Sequence, residues 1–110
     1  MLRIAICDDD QESRERLYTF AQDFPFENTC ELFASGEALL EAFQEEHDKG
    51  MAYQVAFLDL QLGGAMSGID VANAIRSISP DTIIIFVTGY PKFITKILKI
   101  RPDQVLIKPI

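Results

Sequence analysis

Apolar positions along the chain fall into two alternating rhythms. Residues 2–7 are a continuous apolar run broken only by Arg3, which suits a strand covered on both faces. After an acidic cluster, Leu17, Phe20, Ala21 and Phe24 recur at i, i+3, i+4 and i+7, the buried stripe of a helix over 11–24. Asp10 can cap its start, and Pro25 follows its end. Residues 28–33 read as a second, weaker strand. Ser35 then caps a helix that carries Leu39, Leu40 and Phe43 and ends near Gly50. Residues 53–59 form a third strand, followed by a glycine-containing loop. A helix from about Gly68 buries Val71, Ala72, Ile75 and Ile78 before Pro80. The stretch 82–88, with Ile83 to Val87 uninterrupted, is the most strand-like in the chain. Residues 91–99 have helical spacing, with Pro91 in the first turn where proline is tolerated, and 104–108 form a fifth strand.

Strands that alternate with helices build a parallel sheet covered on both faces. Right-handed crossovers then leave few topologies. The expected fold is α/β: a flavodoxin-like, doubly wound, five-stranded parallel sheet of order 2-1-3-4-5. That order places a site at the carboxyl edge, where strands 1 and 3 meet. No repeat, low-complexity tract or internal linker divides the 110 residues, so 1–110 reads as one domain around one core.

Composition narrows the function classes. A net charge of -7 argues against a direct nucleic-acid footprint, which needs a basic face. No apolar run approaches the ~18 residues that span a bilayer, and the start lacks a signal-peptide pattern. Cys7 and Cys30 lack zinc-ligand spacing and read as reduced core thiols. Together these features point to the cytoplasm.

The chemistry gathers at the strand ends. Strand 1 ends in Asp8, Asp9 and Asp10, strand 3 in Asp59, strand 4 in Thr88 and strand 5 in Lys108. In the expected fold these ends converge on one edge. Three carboxylates there would repel one another, and a hard divalent cation relieves that repulsion. A hydroxyl and an ammonium beside them are good partners for phosphoryl oxygens. The set suits phosphoryl transfer, with Asp59 as carboxylate nucleophile and metal held by Asp9 and Asp59. Each residue also has an ordinary explanation. The acidic triplet can be a helix cap, Asp59 a turn former, Thr88 a strand residue and Lys108 a solvated edge. Their joint placement at successive strand ends is what favours the functional reading.

Four segments carry a resemblance: residues 4–10 (Ile-Ala-Ile-Cys-Asp-Asp-Asp), 57–62 (Phe-Leu-Asp-Leu-Gln-Leu), 86–90 (Phe-Val-Thr-Gly-Tyr) and 106–110 (Leu-Ile-Lys-Pro-Ile). The chain resembles receiver domains of two-component response regulators, in wording most like those that precede LytTR-type DNA-binding domains. The resemblance implies that Asp59 accepts phosphate from a sensor histidine kinase. It implies Mg²⁺ held by Asp8 (through water), Asp9, Asp59 and the backbone carbonyl of Gln61, with Thr88 and Lys108 gripping the phosphoryl group. It also implies a cis Lys108–Pro109 bond, an output domain outside this chain, and a role in transcriptional regulation without enzymatic turnover of a substrate.

The chain departs from the family pattern in four places. Val105 stands where an aromatic usually reports phosphorylation. The loop from Gly63 to Gly68 is one residue longer than usual and lacks its proline. Tyr90 is bulky beside the phosphoryl position. The chain ends at Ile110, where relatives add a fifth helix. Without that helix, the sheet face around strands 1 and 5 should be uncovered, and homodimerisation or other self-association is expected. Lys92, Lys96, Lys99 and Arg101 form a basic run that reads as a solvated helix face or a docking surface, and His47 as a surface residue. Two rival functions compete. A phosphatase of the haloacid dehalogenase type would use Asp8 and Asp10, but Glu12 is out of pattern, the chain is short and Asp59 is left unexplained. A binding-only receiver-like domain is the other.

Overall fold

The computed structural model describes residues 1–62, 65–89 and 103–108. The described elements, in chain order, are β1 (Leu2–Cys7), α1 (Gln11–Gln22), β2 (Asn28–Phe33), α2 (Gly36–Asp48), β3 (Val55–Asp59), α3 (Gly68–Ile78), β4 (Ile83–Thr88) and β5 (Gln104–Ile107). The strands form one five-stranded sheet of order 2-1-3-4-5, and each neighbouring pair is parallel. Fold class and strand order are those the alternating pattern predicts.

Strand parity divides the core in two. On one face Ala5 and Cys7 of β1, Ala56 and Leu58 of β3, and Ile84 and Phe86 of β4 pack with Leu39 and Phe43 of α2 and Val71, Ala72 and Ile75 of α3. On the other face Ile4, Ile6, Val55, Phe57 and Val87 pack with Leu17 and Ala21 of α1. All five residues of β3 are buried, which is why its sequence shows no polar alternation. Side-chain oxygens cap the three helices: Asp10 Oδ2 accepts from the Ser13 N–H, Ser35 Oγ from Ala38, and Ser67 from Asp70 in a reciprocal capping box.

The differences from the sequence reading lie mostly at boundaries. α1 closes at Gln22 with Asp23 as its C-cap, so Phe24 lies beyond the helix. Its ring still packs edge-on against Phe20 at 5.6 Å and beside Phe57 at 6.4 Å, which preserves the apolar periodicity. Tyr53 is buried but precedes β3, and Gln54 bridges the strands by donating to the Arg3 carbonyl and accepting from the Ile83 N–H. Both cysteines are free thiols, but only Cys7 is a core residue; Cys30 is half-buried on edge strand β2. The expected opening of the sheet around β1 is not found: Ile4 and Ile6 are fully buried under α1. On β5, Leu106 is partly buried against the same cluster. The helix expected over 91–99, the basic run from Lys92 to Arg101, Gly63, Gly64, Tyr90 and the Lys108–Pro109 bond lie outside the described residues.

Candidate functional site

The strand parities that build the core also aim the site. Asp8 continues the series Ile4–Ile6, Asp59 continues Val55–Phe57, and Lys108 continues Leu106, all from the α1 side of the sheet. Just past the strand ends these three side chains meet. Lys108 Nζ lies 2.8 Å from Asp8 Oδ2 and 3.1 Å from Asp59 Oδ2. One oxygen each from Asp8, Asp9 and Asp59 lies within 4.8 Å of the others.

Each member is held by its backbone surroundings. Asp8 is fully buried; its Oδ1 accepts from the Asp10 N–H at 3.0 Å, and its carbonyl accepts from the Arg14 guanidinium at 2.8 Å. Asp9 is exposed at the mouth. Asp59 is 6% exposed, and its Oδ1 accepts from the Gln61 N–H at 3.0 Å. That bond folds the chain into a tight turn after β3 and brings Gln61 beside the carboxylates. Thr88, fully buried, ends β4 opposite Ile107, and its carbonyl accepts the Lys108 N–H at 2.7 Å. Val105 pairs with Phe86 and packs, partly buried, on the α2–α3 side of the core.

Burial and neighbouring charge shape the electrostatics of the cluster. Burial raises the Asp59 pKa, the Gln61 N–H opposes that, Asp8 adds to it and Lys108 opposes it; the net shift is upward. Burial works against the Lys108 charge, but its hydrogen bond to Asp8 and the attraction of Asp59 prevail, and its pKa rises. Burial, reinforced by Asp8, Asp59 and Asp9, pushes the Cys7 thiol up to about 12, so it stays protonated and is no rival nucleophile. Asp10 behaves differently. The Ser13 N–H holds its carboxyl below the usual range while it caps α1, and it does not join the cluster. The Asp8–Asp10 pairing required by the phosphatase reading is therefore not formed.

Asp8, Asp9, Asp59 and Lys108 thus come together at the strand ends, with Gln61 on the turn after β3 and Thr88 at the end of β4. Two supports escape sequence reasoning. A Cβ on Gly68 would collide with the Asp59 carbonyl oxygen, so the first turn of α3 abuts the site only because that residue is glycine. Glycine at a helix start is a detectable but unspecific signal. Arg14, half-buried on α1, carries no signal at all.

The chain matches the family model of the response regulator receiver domain over residues 4–110. It belongs to that family. Receiver domains are the phosphoacceptor modules of two-component signalling, signalling domains rather than classical enzymes, and they bind Mg²⁺ at their acidic site. This receiver domain is 32% identical over 110 residues to the sensory transduction protein LytT of Oceanobacillus iheyensis, covering 98% of the chain and 42% of the relative. It is 32% identical over 114 residues to accessory gene regulator protein A of Staphylococcus epidermidis, covering 97% and 46%. The chain therefore spans less than half the length of these curated relatives. Among solved structures it superimposes on the response regulator TrrA of Thermotoga maritima, determined in complex with Mg²⁺ and BeF, with a TM-score of 0.82 at 28% identity over 99% of this chain and 88% of that one. No helix among the described residues is long and apolar enough to cross a membrane.

Proposed function

We propose that Asp59 is the phosphoacceptor of this receiver domain and that a sensor histidine kinase is its donor. The observation that carries this reading is the shared ammonium: Lys108 bonds Asp8 and Asp59 at once, 2.8 and 3.1 Å away, at the carboxyl edge of the sheet. In the reaction an Asp59 carboxylate oxygen attacks phosphorus, the bond from phosphorus to the donor nitrogen breaks, and the imidazole leaves with the electron pair. The Gln61 N–H and Lys108 oppose the rise that burial imposes on the Asp59 pKa, and Lys108 then turns to the new phosphoryl oxygens. Thr88 borders the same pocket as a hydroxyl donor.

The donor set fits Mg²⁺: three carboxylate oxygens lie within 4.8 Å of one another, two of them from residues that share the Lys108 ammonium. Asp9 and Asp59 would hold the ion directly, Asp8 through water, and the Gln61 carbonyl would complete the protein's share. When bound, Mg²⁺ supplies neutralisation of charge on the transferring phosphoryl group.

Incubation with Mg²⁺ and acetyl phosphate, followed by intact-mass measurement, tests the reading. One phosphoryl addition is expected, absent in Asp59→Asn. Addition that persists in Asp59→Asn, or none in the wild-type chain, overturns it. The same reading places the domain in the cytoplasm, upstream of an output domain and of transcription. Self-association keeps support only at β5, where Leu106 is partly buried, with sedimentation as its measure: a monomer at high concentration counts against it.

A further inference from the structure

Lys108 is carried by β5, a four-residue edge strand whose only described strand partner is β4. Such a strand has little to fix its register. Parity makes register decisive here: a slip of one residue would turn Lys108 from the α1 side of the sheet, where Asp8 and Asp59 lie, to the opposite side. It would also displace the ammonium by roughly 3.3 Å along the strand.

At the upstream end of β5, Asp103 grips Ile84 twice. Its N–H donates to the Ile84 carbonyl at 3.1 Å, and its Oδ2 accepts from the Ile84 N–H at 2.8 Å. The same Oδ2 accepts from an Arg76 guanidinium nitrogen at 3.1 Å. Arg76, in the last turn of α3, also donates to the carbonyl of Thr82 at 3.0 Å and of Pro80 at 3.4 Å. One guanidinium thus binds the end of α3, the turn into β4 and the start of β5. A one-residue slip would break the double contact to Ile84 and draw Asp103 away from Arg76.

We infer that Arg76 and Asp103 are positioning residues that lock the register of β5 and so set where Lys108 meets Asp8 and Asp59. The inference rests on the proposed role of the site for its effect on phosphoryl transfer, but not for its effect on Lys108 itself. Two readouts separate them. The first is the rate at which an amine-acylating reagent labels Lys108 without Mg²⁺, read by peptide mass. The second is the rate of phosphoryl addition from acetyl phosphate at saturating Mg²⁺. Asp103→Ala and Arg76→Met should raise Lys108 labelling and slow addition by about tenfold or more, since ångström-scale misplacement of a reacting group costs on that order. Asp103→Asn keeps an oxygen for the Ile84 N–H and should restore most of both. Ser67→Ala, which loosens the far end of α3, serves as control and should leave both unchanged. Labelling of Lys108 at the wild-type rate in Asp103→Ala overturns the lock, as does an equal rise in Ser67→Ala. Failure of the wild-type chain to take up phosphate would sink the phosphoacceptor reading and leave the labelling result to judge the lock.

Discussion

The two edges of the sheet use similar side chains for opposite ends. At the amino edge, the Arg3 guanidinium donates to the Met51 carbonyl, pairs with Glu31 at 3.0 Å and Glu46 at 3.5 Å, and lies 4.6 Å from the centre of the Tyr53 ring. The Tyr53 hydroxyl in turn donates to Glu31 at 2.6 Å. Arg3, Glu31 and Glu46 each have a protein partner, so this network is closed and needs no ligand. At the carboxyl edge, one oxygen each from Asp8, Asp9 and Asp59 lies within 4.8 Å of the others, and the Lys108 ammonium bonds Asp8 and Asp59. The same chemistry closed by protein partners stabilises the fold. Where carboxylates crowd together with only part of their charge met, the same chemistry leaves an unfavourable interaction that a divalent cation can release. The second edge is the one to expect function from.

The sharpest way to break this comparison is Gly68→Ala. The added methyl would push into the Asp59 carbonyl, and the backbone must shift because nothing flexible can yield. A loss of about 3 kcal/mol is expected, at the top of the overpacking range, together with loss of phosphoryl addition. Urea unfolding and intact mass measure the two. A variant that folds and accepts phosphate normally would show that α3 does not support the site.

Arg3→Met attacks the other edge. It removes a guanidinium that is 17% exposed and leaves Glu46 and the Met51 carbonyl without it. A loss of about 2 kcal/mol is expected from the ion pairs, the hydrogen bond to the carbonyl and the stacking on Tyr53. Phosphoryl addition and any Mg²⁺-induced rise in melting temperature should be unchanged. If Arg3→Met slowed phosphoryl addition as much as it lowered stability, the two edges would not be separate in function.

These predictions differ in how far the sequence alone reaches them. The strand-end cluster was legible because its members sit at strand ends in a chain whose two rhythms are clear, and parallel topology brings strand ends together. Arg3, by contrast, reads only as an interruption in an apolar run. Its partners Glu31, Glu46, Met51 and Tyr53 are distant in sequence and joined only by the sheet. Lys108 was legible as a phosphate partner but not as the cation that already pairs with Asp8 and Asp59, because an ion pair depends on side-chain reach rather than on spacing. Strand ends misjudged by a residue or two, as at Tyr53, reflect side chains that stay apolar after the ladder stops. Asp103 shows the converse: it looks like a turn residue and supplies the first contacts of a strand.

Ser67→Ala sharpens the comparison at lower cost. Ser67 caps α3 and its N–H is bonded by Asp70, so removing the hydroxyl breaks one half of the capping box. A loss of about 1 kcal/mol is expected in urea unfolding. The cap lies one residue before Gly68, yet its hydroxyl bonds Asp70 rather than the site, so phosphoryl addition should be spared. A large loss of addition would mean that the placement of α3, and not only the glycine contact, controls Asp59.

The smallest effect tests that unfavourable interaction itself. Asp59 has a folded-state pKa above its unfolded value, chiefly because it is buried. A raised pKa means the folded chain binds that proton more readily than the unfolded chain. Its favourable contribution is therefore complete below the ordinary carboxylate pKa and is lost as pH rises through the raised value. Above that raised value, with chelator present, the ionised Asp59 destabilises the fold, and Asp59→Asn should unfold at higher urea than the wild-type chain. The advantage should shrink as pH falls toward the ordinary aspartate range, where the wild-type carboxyl is itself neutral. The gain is modest because the Gln61 N–H and Lys108 already offset much of what burial and Asp8 impose. A pH-independent difference would assign the effect to packing of the amide. Asp59→Asn less stable than wild type at every pH would mean that Lys108 balances the cluster on its own, and the contrast between the two edges would fail.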